Sequence, residues 1–176
     1  YKDPWEYGGD TGLKDQKVTI KKIKGMSESS IRGMDISSYF ALKKAGVKYY
    51  DYEGNETPLL KVLHDNGINY IRIRIWNDPF NADGETYGGG GNDVSTGVEI
   101  AKEAAKYDMK VLLDFHYSDF WAEPAVQLVP KAWKKDVNNT EKMCSDVYDF
   151  TKESIQKFKD AGANIGMVQV LSLIHI

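Results

Sequence analysis

Residues 68–76 read Ile-Asn-Tyr-Ile-Arg-Ile-Arg-Ile-Trp, and no other stretch limits the fold as strongly. β-Branched and aromatic side chains at this density specify a strand. Side chains alternate along a strand, so Ile71, Ile73 and Ile75 share one face while Arg72, Arg74 and Trp76 share the other. The isoleucines suit burial under helices. The arginines need a polar interior, because an unpaired buried charge is costly.

The same rhythm runs along the chain. Short strands are predicted over residues 31–37, 109–116 and 165–170, and helices over 58–66, 94–107 and 140–161. Pro58 suits a first helical turn, and Gly67 and Gly162 suit helix ends. Strand and helix alternating in this way mean successive parallel βα units. The polar residues fall inside the strands and at their C-terminal ends, where (β/α)₈ barrels place their sites. The expected fold class is therefore α/β, the N-terminal half of a (β/α)₈ TIM barrel holding strands one to four with their helices. Residues 1–24 are read as a lead-in with an edge strand at 17–24, residues 25–170 as the partial barrel, and 171–176 as a tail.

Parity sorts the remaining strands. Gly33, Asp35 and Ser37 share a face in the first, Leu112, Asp114 and His116 point inward in the third, and Met167 and Gln169 share a face in the fourth. Asp35, Arg72, Arg74, Asp114, His116 and Gln169 thus converge on one interior. Two readings stand: an ion-pair network filling the barrel, or a polar binding floor rimmed by Trp76, Trp121 and Tyr117. Trp76 is open to either platform or packing.

Composition narrows the partners. With 23 basic and 26 acidic side chains the formal net charge is −3, which argues against a nucleic-acid protein. Four Trp, 11 Tyr and 6 Phe, many beside polar residues, suit a surface that stacks on sugars. The single cysteine, Cys144, excludes an internal disulfide and is expected as a buried thiol on an apolar helical stripe. His116 has no second histidine at ligand spacing, so no metal site is expected. The glycines at 88–91 lack the lysine and hydroxyl of a phosphate loop and are read as a flexible connection.

Several stretches are specific enough to point to a family. Residues 32–38 (RGMDISS), 70–79 (YIRIRIWNDP), 87–93 (YGGGGND), 110–121 (KVLLDFHYSDFW), 130–133 (PKAW) and 165–170 (IGMVQV) occur in the order found in arabinogalactan endo-β-1,4-galactanases, and the chain resembles that family of glycoside hydrolases. The resemblance implies a TIM barrel and retaining endo-hydrolysis of β-1,4-galactan in pectin side chains, without a cofactor. It implies a glutamate acid/base after strand four and a glutamate nucleophile after strand seven. An extracellular, monomeric parent acting on galactan or arabinogalactan, with no nucleic-acid partner and no membrane span, is expected. Arg72 and Arg74 lie where such barrels keep an arginine near the nucleophile, with Arg74 the preferred choice. Asp35, Asp114, His116 and Trp121 lie where sugar hydroxyls and ring faces would sit, and Trp76, also a candidate substrate-binding residue, is open to either platform or packing.

The sequence departs from the family after Val170, where Gly-Asn-Glu is expected. Leu173 takes the inward position of that glutamate. Residues 171–176 read as the translation of a transposase adapter end, so a foreign tail and no catalytic residue within the chain are expected. An inactive chain follows from that reading, with a non-catalytic carbohydrate-binding half-barrel, or a hydrolase of another β-linked polysaccharide, as the alternatives.

Overall fold

Why the isoleucine face of residues 68–76 needs cover is plain in the computed structural model, which describes residues 23–122 and 127–171. The chain divides between Ser30 and Ile31. Within the first unit, residues 23–30 form turns closed by Met26 N to Ile23 O (3.2 Å) and Ser30 N to Ser27 O (3.1 Å). The lead-in, most of the edge strand expected over 17–24, Glu123 and residues 172–176 lie outside the described residues.

The second unit runs β1 (Gly33–Asp35), α1 (Tyr39–Lys44), α2 (Leu59–Asp65), β2 (Tyr70–Ile75), α3 (Val94–Ala105), β3 (Lys110–Phe115), a 3₁₀ turn (Lys131–Asp136), α4 (Thr140–Asp160) and β4 (Ile165–Val170). The strands form one parallel, 4-stranded sheet in the order β1-β2-β3-β4, the succession of a barrel wall. A bulge between Val111 and Leu112 shifts the pairing of β3 with β4. Four parallel strands with their helices are the N-terminal half of a (β/α)₈ barrel.

Local signals set the helix limits. The Asp93 carboxylate accepts from Thr96 N at 2.8 Å and starts α3; Asn139 accepts from Lys142 N at 3.0 Å and starts α4. Gly67 (φ 84°) and Gly162 (φ 77°) take the left-handed conformation that ends α2 and α4. Ile71, Ile73 and Ile75 of β2 and Val111, Leu113 and Phe115 of β3 are fully buried beneath Ile100, Ala101 and Ala104 of α3 and Phe158 of α4. Each such aliphatic side chain contributes about 1.5–3 kcal/mol.

Three features differ from the sequence expectation. Helix α1 was not predicted; its Tyr39 and Lys43 both bond to Glu103 of α3 at 2.8 Å, a tertiary anchor invisible in local pattern. The 3₁₀ turn was likewise missed; it is too short to show a period. Cys144 is exposed and not buried, because α4 packs through its C-terminal half, where Ser154 and Phe158 are the buried residues.

Candidate functional site

The inward face of the sheet carries its charge in successive rows. Asp35 of β1 pairs in register with Arg72 of β2, and one step further along Arg74, Asp114 and Gln169 align across β2, β3 and β4. Arg72 binds these strands together. Its Nη1 donates to Asp35 Oδ2, its Nη2 to Asp114 Oδ2, and its Nε to Gln169 Oε1 at 3.4 Å. Beneath this row, the end of the Tyr70 side chain lies where a side chain on Gly166 would be, its hydroxyl 2.4 Å and its ring 2.7 Å from a Cβ there, so a larger residue would displace Tyr70.

Asp114 and His116 are both buried, and His116 Nε2 lies 3.1 Å from Asp114 Oδ2. Ala122 N donates to His116 Nδ1 at 3.5 Å. With Nδ1 accepting, the hydrogen on Nε2 points at the carboxylate, which fixes the orientation of the ring. Burial by itself would raise the Asp35 carboxyl; hydrogen bonds from Ser37, with the Arg72 guanidinium, outweigh it and hold the group below the ordinary carboxylate value.

Arg74 is only 6% exposed and forms no ion pair among the described residues. Its backbone N–H donates to the buried Ser37 Oγ at 2.9 Å, and its Nη2 donates to the Gly89 carbonyl. The guanidinium carbon lies 4.0 Å from the Trp121 ring centre and 4.6 Å from that of Trp76. Burial pulls its pKa down from the usual guanidinium value, while Asp35 and Asp114 act in the opposite direction.

The aromatic residues divide by exposure. Trp76 is fully buried, stacked on Phe120 (5.6 Å, 29°) and meeting Trp121 (5.5 Å, 83°) and His116 (6.0 Å, 80°) edge to face. Of its two open roles, burial selects packing, and the expectation of Trp76 as a sugar platform is corrected. Trp121 remains 40% exposed above it. Tyr117 is also not a rim platform: at φ 48° its ring stacks on Phe115 at 5.9 Å, and its hydroxyl lies 2.8 Å from Thr151 Oγ1 of α4.

The expected site residues therefore form two layers. Asp35, Arg72 and Trp121 reach solvent, with side chains 36%, 30% and, for the Trp121 residue, 40% exposed. Arg74, Trp76, Asp114 and His116 are buried and touch Arg72 or Trp121. Sequence reasoning missed Gly89, Asn92 and Phe120. Phe120 sits inside the specific 110–121 stretch, the one signal that marked it. Gly89 and Asn92 act through backbone carbonyls, Asn92 taking the Trp76 N–H at 2.8 Å, and backbone acceptors leave no residue-type signature.

An exposed carboxylate, a guanidinium and an indole face suit a ligand rich in hydroxyls with an apolar ring side. Among the described residues no group of three or more His, Cys, Asp and Glu is placed to hold a metal ion. No described helix is long and apolar enough to cross a membrane. Beside the aromatic wall lies a cleft of about 570 Å³ lined by Tyr87, Phe120, Leu128 and Lys131.

Comparison with known proteins fits this arrangement. Residues 31–172 match the model of glycosyl hydrolase family 53. An endo-beta-1,4-galactanase of Bacillus subtilis (strain 168) is 46% identical over 158 residues, covering 90% of this chain and 36% of that protein. An arabinogalactan endo-beta-1,4-galactanase of Humicola insolens is 33% identical over 139 residues, covering 79% of this chain and 39% of its own length. The catalytic domain of the Ignisphaera aggregans family 53 enzyme superposes with a TM-score of 0.81 at 38% identity, over 88% of this chain and 42% of that one. A fungal beta-1,4-galactanase structure superposes with a TM-score of 0.68 at 36% identity, over 79% of this chain and 39% of that one. The chain thus spans well under half the length of these relatives, and it belongs to glycosyl hydrolase family 53.

Proposed function

We propose that the protein to which these residues belong is an extracellular endo-hydrolase that cleaves β-1,4-galactosidic linkages in galactan and arabinogalactan with retention of configuration. The observation that carries the reading is the layered inward face of the sheet: Arg72 tied to Asp35 and Asp114, and Trp121 standing open above Arg74 and Trp76. Membership in family 53, together with relatives named as galactanases, supports the choice of substrate.

In this reading Asp35 and Arg72 hydrogen-bond sugar hydroxyls and Trp121 stacks on a ring face. Asp114, tied to Arg72, fixes the orientation of His116. The family resemblance calls for two glutamates, one as acid/base and one as nucleophile, with carboxyl groups about 5–5.5 Å apart in a retaining enzyme. Both positions lie outside the described residues, which supply binding and positioning groups. The 176-residue chain assayed alone is therefore expected to bind galactan weakly and to release no reducing sugar.

The test is a polysaccharide panel on the full-length protein. Reducing-sugar release from β-1,4-galactan but not β-1,4-mannan, with the β-anomer appearing first by NMR, is the expected result. Cleavage of mannan in preference to galactan would overturn the substrate, and an α-anomer appearing first would overturn retention. Galactan binding with no cleavage would replace hydrolysis by a binding role.

A further inference from the structure

The glycines at 88–91 were read as a flexible connection, but their backbone is specific. Gly88, Gly89, Gly90 and Gly91 have φ of 106°, 62°, 101° and 58°, four consecutive left-handed residues. Three of them also have no room for a side chain. A Cβ on Gly90 would lie 2.6 Å from the Ser37 carbonyl oxygen, and one on Gly91 2.6 Å from Thr86 Oγ1. A Cβ on Gly89 would lie 2.8 Å from Trp76 Cη2 and 3.4 Å from Trp121 Cζ2. Gly89 therefore sits against the seam between the two indoles, and its carbonyl accepts from Arg74 Nη2.

We propose that Gly89 is a positioning residue for the sugar-binding face: its carbonyl holds the Arg74 guanidinium over Trp76 and Trp121, and its missing side chain lets both indoles close on that cation. One side of Trp121 is then committed to Arg74, at 4.0 Å, while the residue keeps its exposure to solvent. The loop after β2 thereby sets the platform supplied by the loop after β3. This rests on the galactan reading for its consequence in catalysis, while the geometry of the two indoles is independent of any substrate.

Gly89→Ala tests it in the full-length protein, with Gly84→Ala as control. Gly84 lies in the same loop with φ 79°, and nothing comes within 4 Å of a Cβ there, so its replacement reports left-handed strain alone. Gly89→Ala is expected to weaken the near-ultraviolet circular dichroism of the paired indoles and to raise the KM for galactan at least tenfold, with kcat changing less. Gly84→Ala is expected to leave the dichroism intact and KM within about twofold. An unchanged indole signal in Gly89→Ala, or equal losses in both variants, overturns the proposal. Should Gly89→Ala not fold, Arg74→Lys supplies the second arm: it keeps the charge but lacks the planar fork. Loss of the same indole signal is expected there, and its retention overturns the proposal. If the wild-type protein does not cleave galactan, the function reading fails while the dichroism still decides the role of Gly89.

Discussion

His116 Nε2 lies 3.1 Å from Asp114 Oδ2, and the two side chains are 1% and 0% exposed. The same carboxylate oxygen accepts from Arg72 Nη2, so one buried acceptor holds both a histidine ring and an arginine that bonds to three strands besides its own. Removing its charge should be felt in both. Asp114→Asn keeps the shape but leaves Arg72 with Asp35 as its remaining carboxylate partner in this cluster. Breaking a buried pair costs about 3–5 kcal/mol; Arg72 is partly exposed and keeps Asp35, so a loss of about 2–3 kcal/mol is expected in urea unfolding. A loss below about 0.5 kcal/mol, the scale of an ordinary surface substitution, would show that the cluster does not hold the strands together.

Trp121→Ala should separate binding from stability. The ring is 40% exposed and covers the Arg74 guanidinium, so its removal leaves the isoleucine core untouched. A rise of about tenfold in KM for galactan, about 1.4 kcal/mol, is expected, with kcat within about threefold. Steady-state kinetics on the full-length protein checks it, and an unchanged KM would remove Trp121 from the binding surface.

The stabilisation from Asp35 should depend on pH with a definite sign. Its folded pKa is depressed below the unfolded value, so the charged carboxylate stabilises the native state above that unfolded value, about 4. The contribution falls away as pH drops through the folded pKa. The gap in melting temperature between wild type and Asp35→Asn is therefore expected to be full at pH 6–7, at about two units above that ordinary carboxylate value, and to narrow below about pH 4. A gap that widens on acidification would contradict the assignment.

Gly97→Ala sets two effects against each other. Alanine in the interior of α3 gains about 1 kcal/mol of helix propensity. A Cβ at this position would, however, lie 2.5 Å from Ile75 Cδ1 and 3.0 Å from Phe158 Cζ, both in fully buried side chains. Overpacking a closed core costs about 1–3 kcal/mol, so a net loss of about 1 kcal/mol is expected. Denaturant midpoints measure it, and a stabilised variant would mean that α3 can move off the sheet without penalty.

How much of this was legible in the sequence depends on the physical range of each signal. Alternation along β2 and β3 is local and strong, so the separation of Ile71, Ile73 and Ile75 from Arg72, Arg74 and Trp76 is legible in the sequence alone. The exposure of Cys144 is not. The stripe on α4 repeats correctly along the helix, but which half is covered depends on partners far away in sequence, and only the half holding Phe158 reaches the sheet. Trp76 was ambiguous for the same reason: its parity placed it inward, while its cover comes from Phe120 and Trp121, more than forty residues on. Glycine content at 88–91 pointed to a flexible connection and not to a tract that packs Gly89 against two indoles.

Trp76 N donates to Asn92 O at 2.8 Å, so the chain leaves β2 and re-enters the wall at α3 through adjoining points. Everything between, residues 77–91, is an excursion whose two feet are clamped together. At its tip such an excursion can change length while strand and helix stay where they are, since lengthening a closed loop adds only about 0.6 kcal/mol per doubling. The returning limb is different: its Gly89 carbonyl holds Arg74 and its Gly90 lies against Ser37, so tolerance to change is confined to the outer part of the excursion, around Gly84.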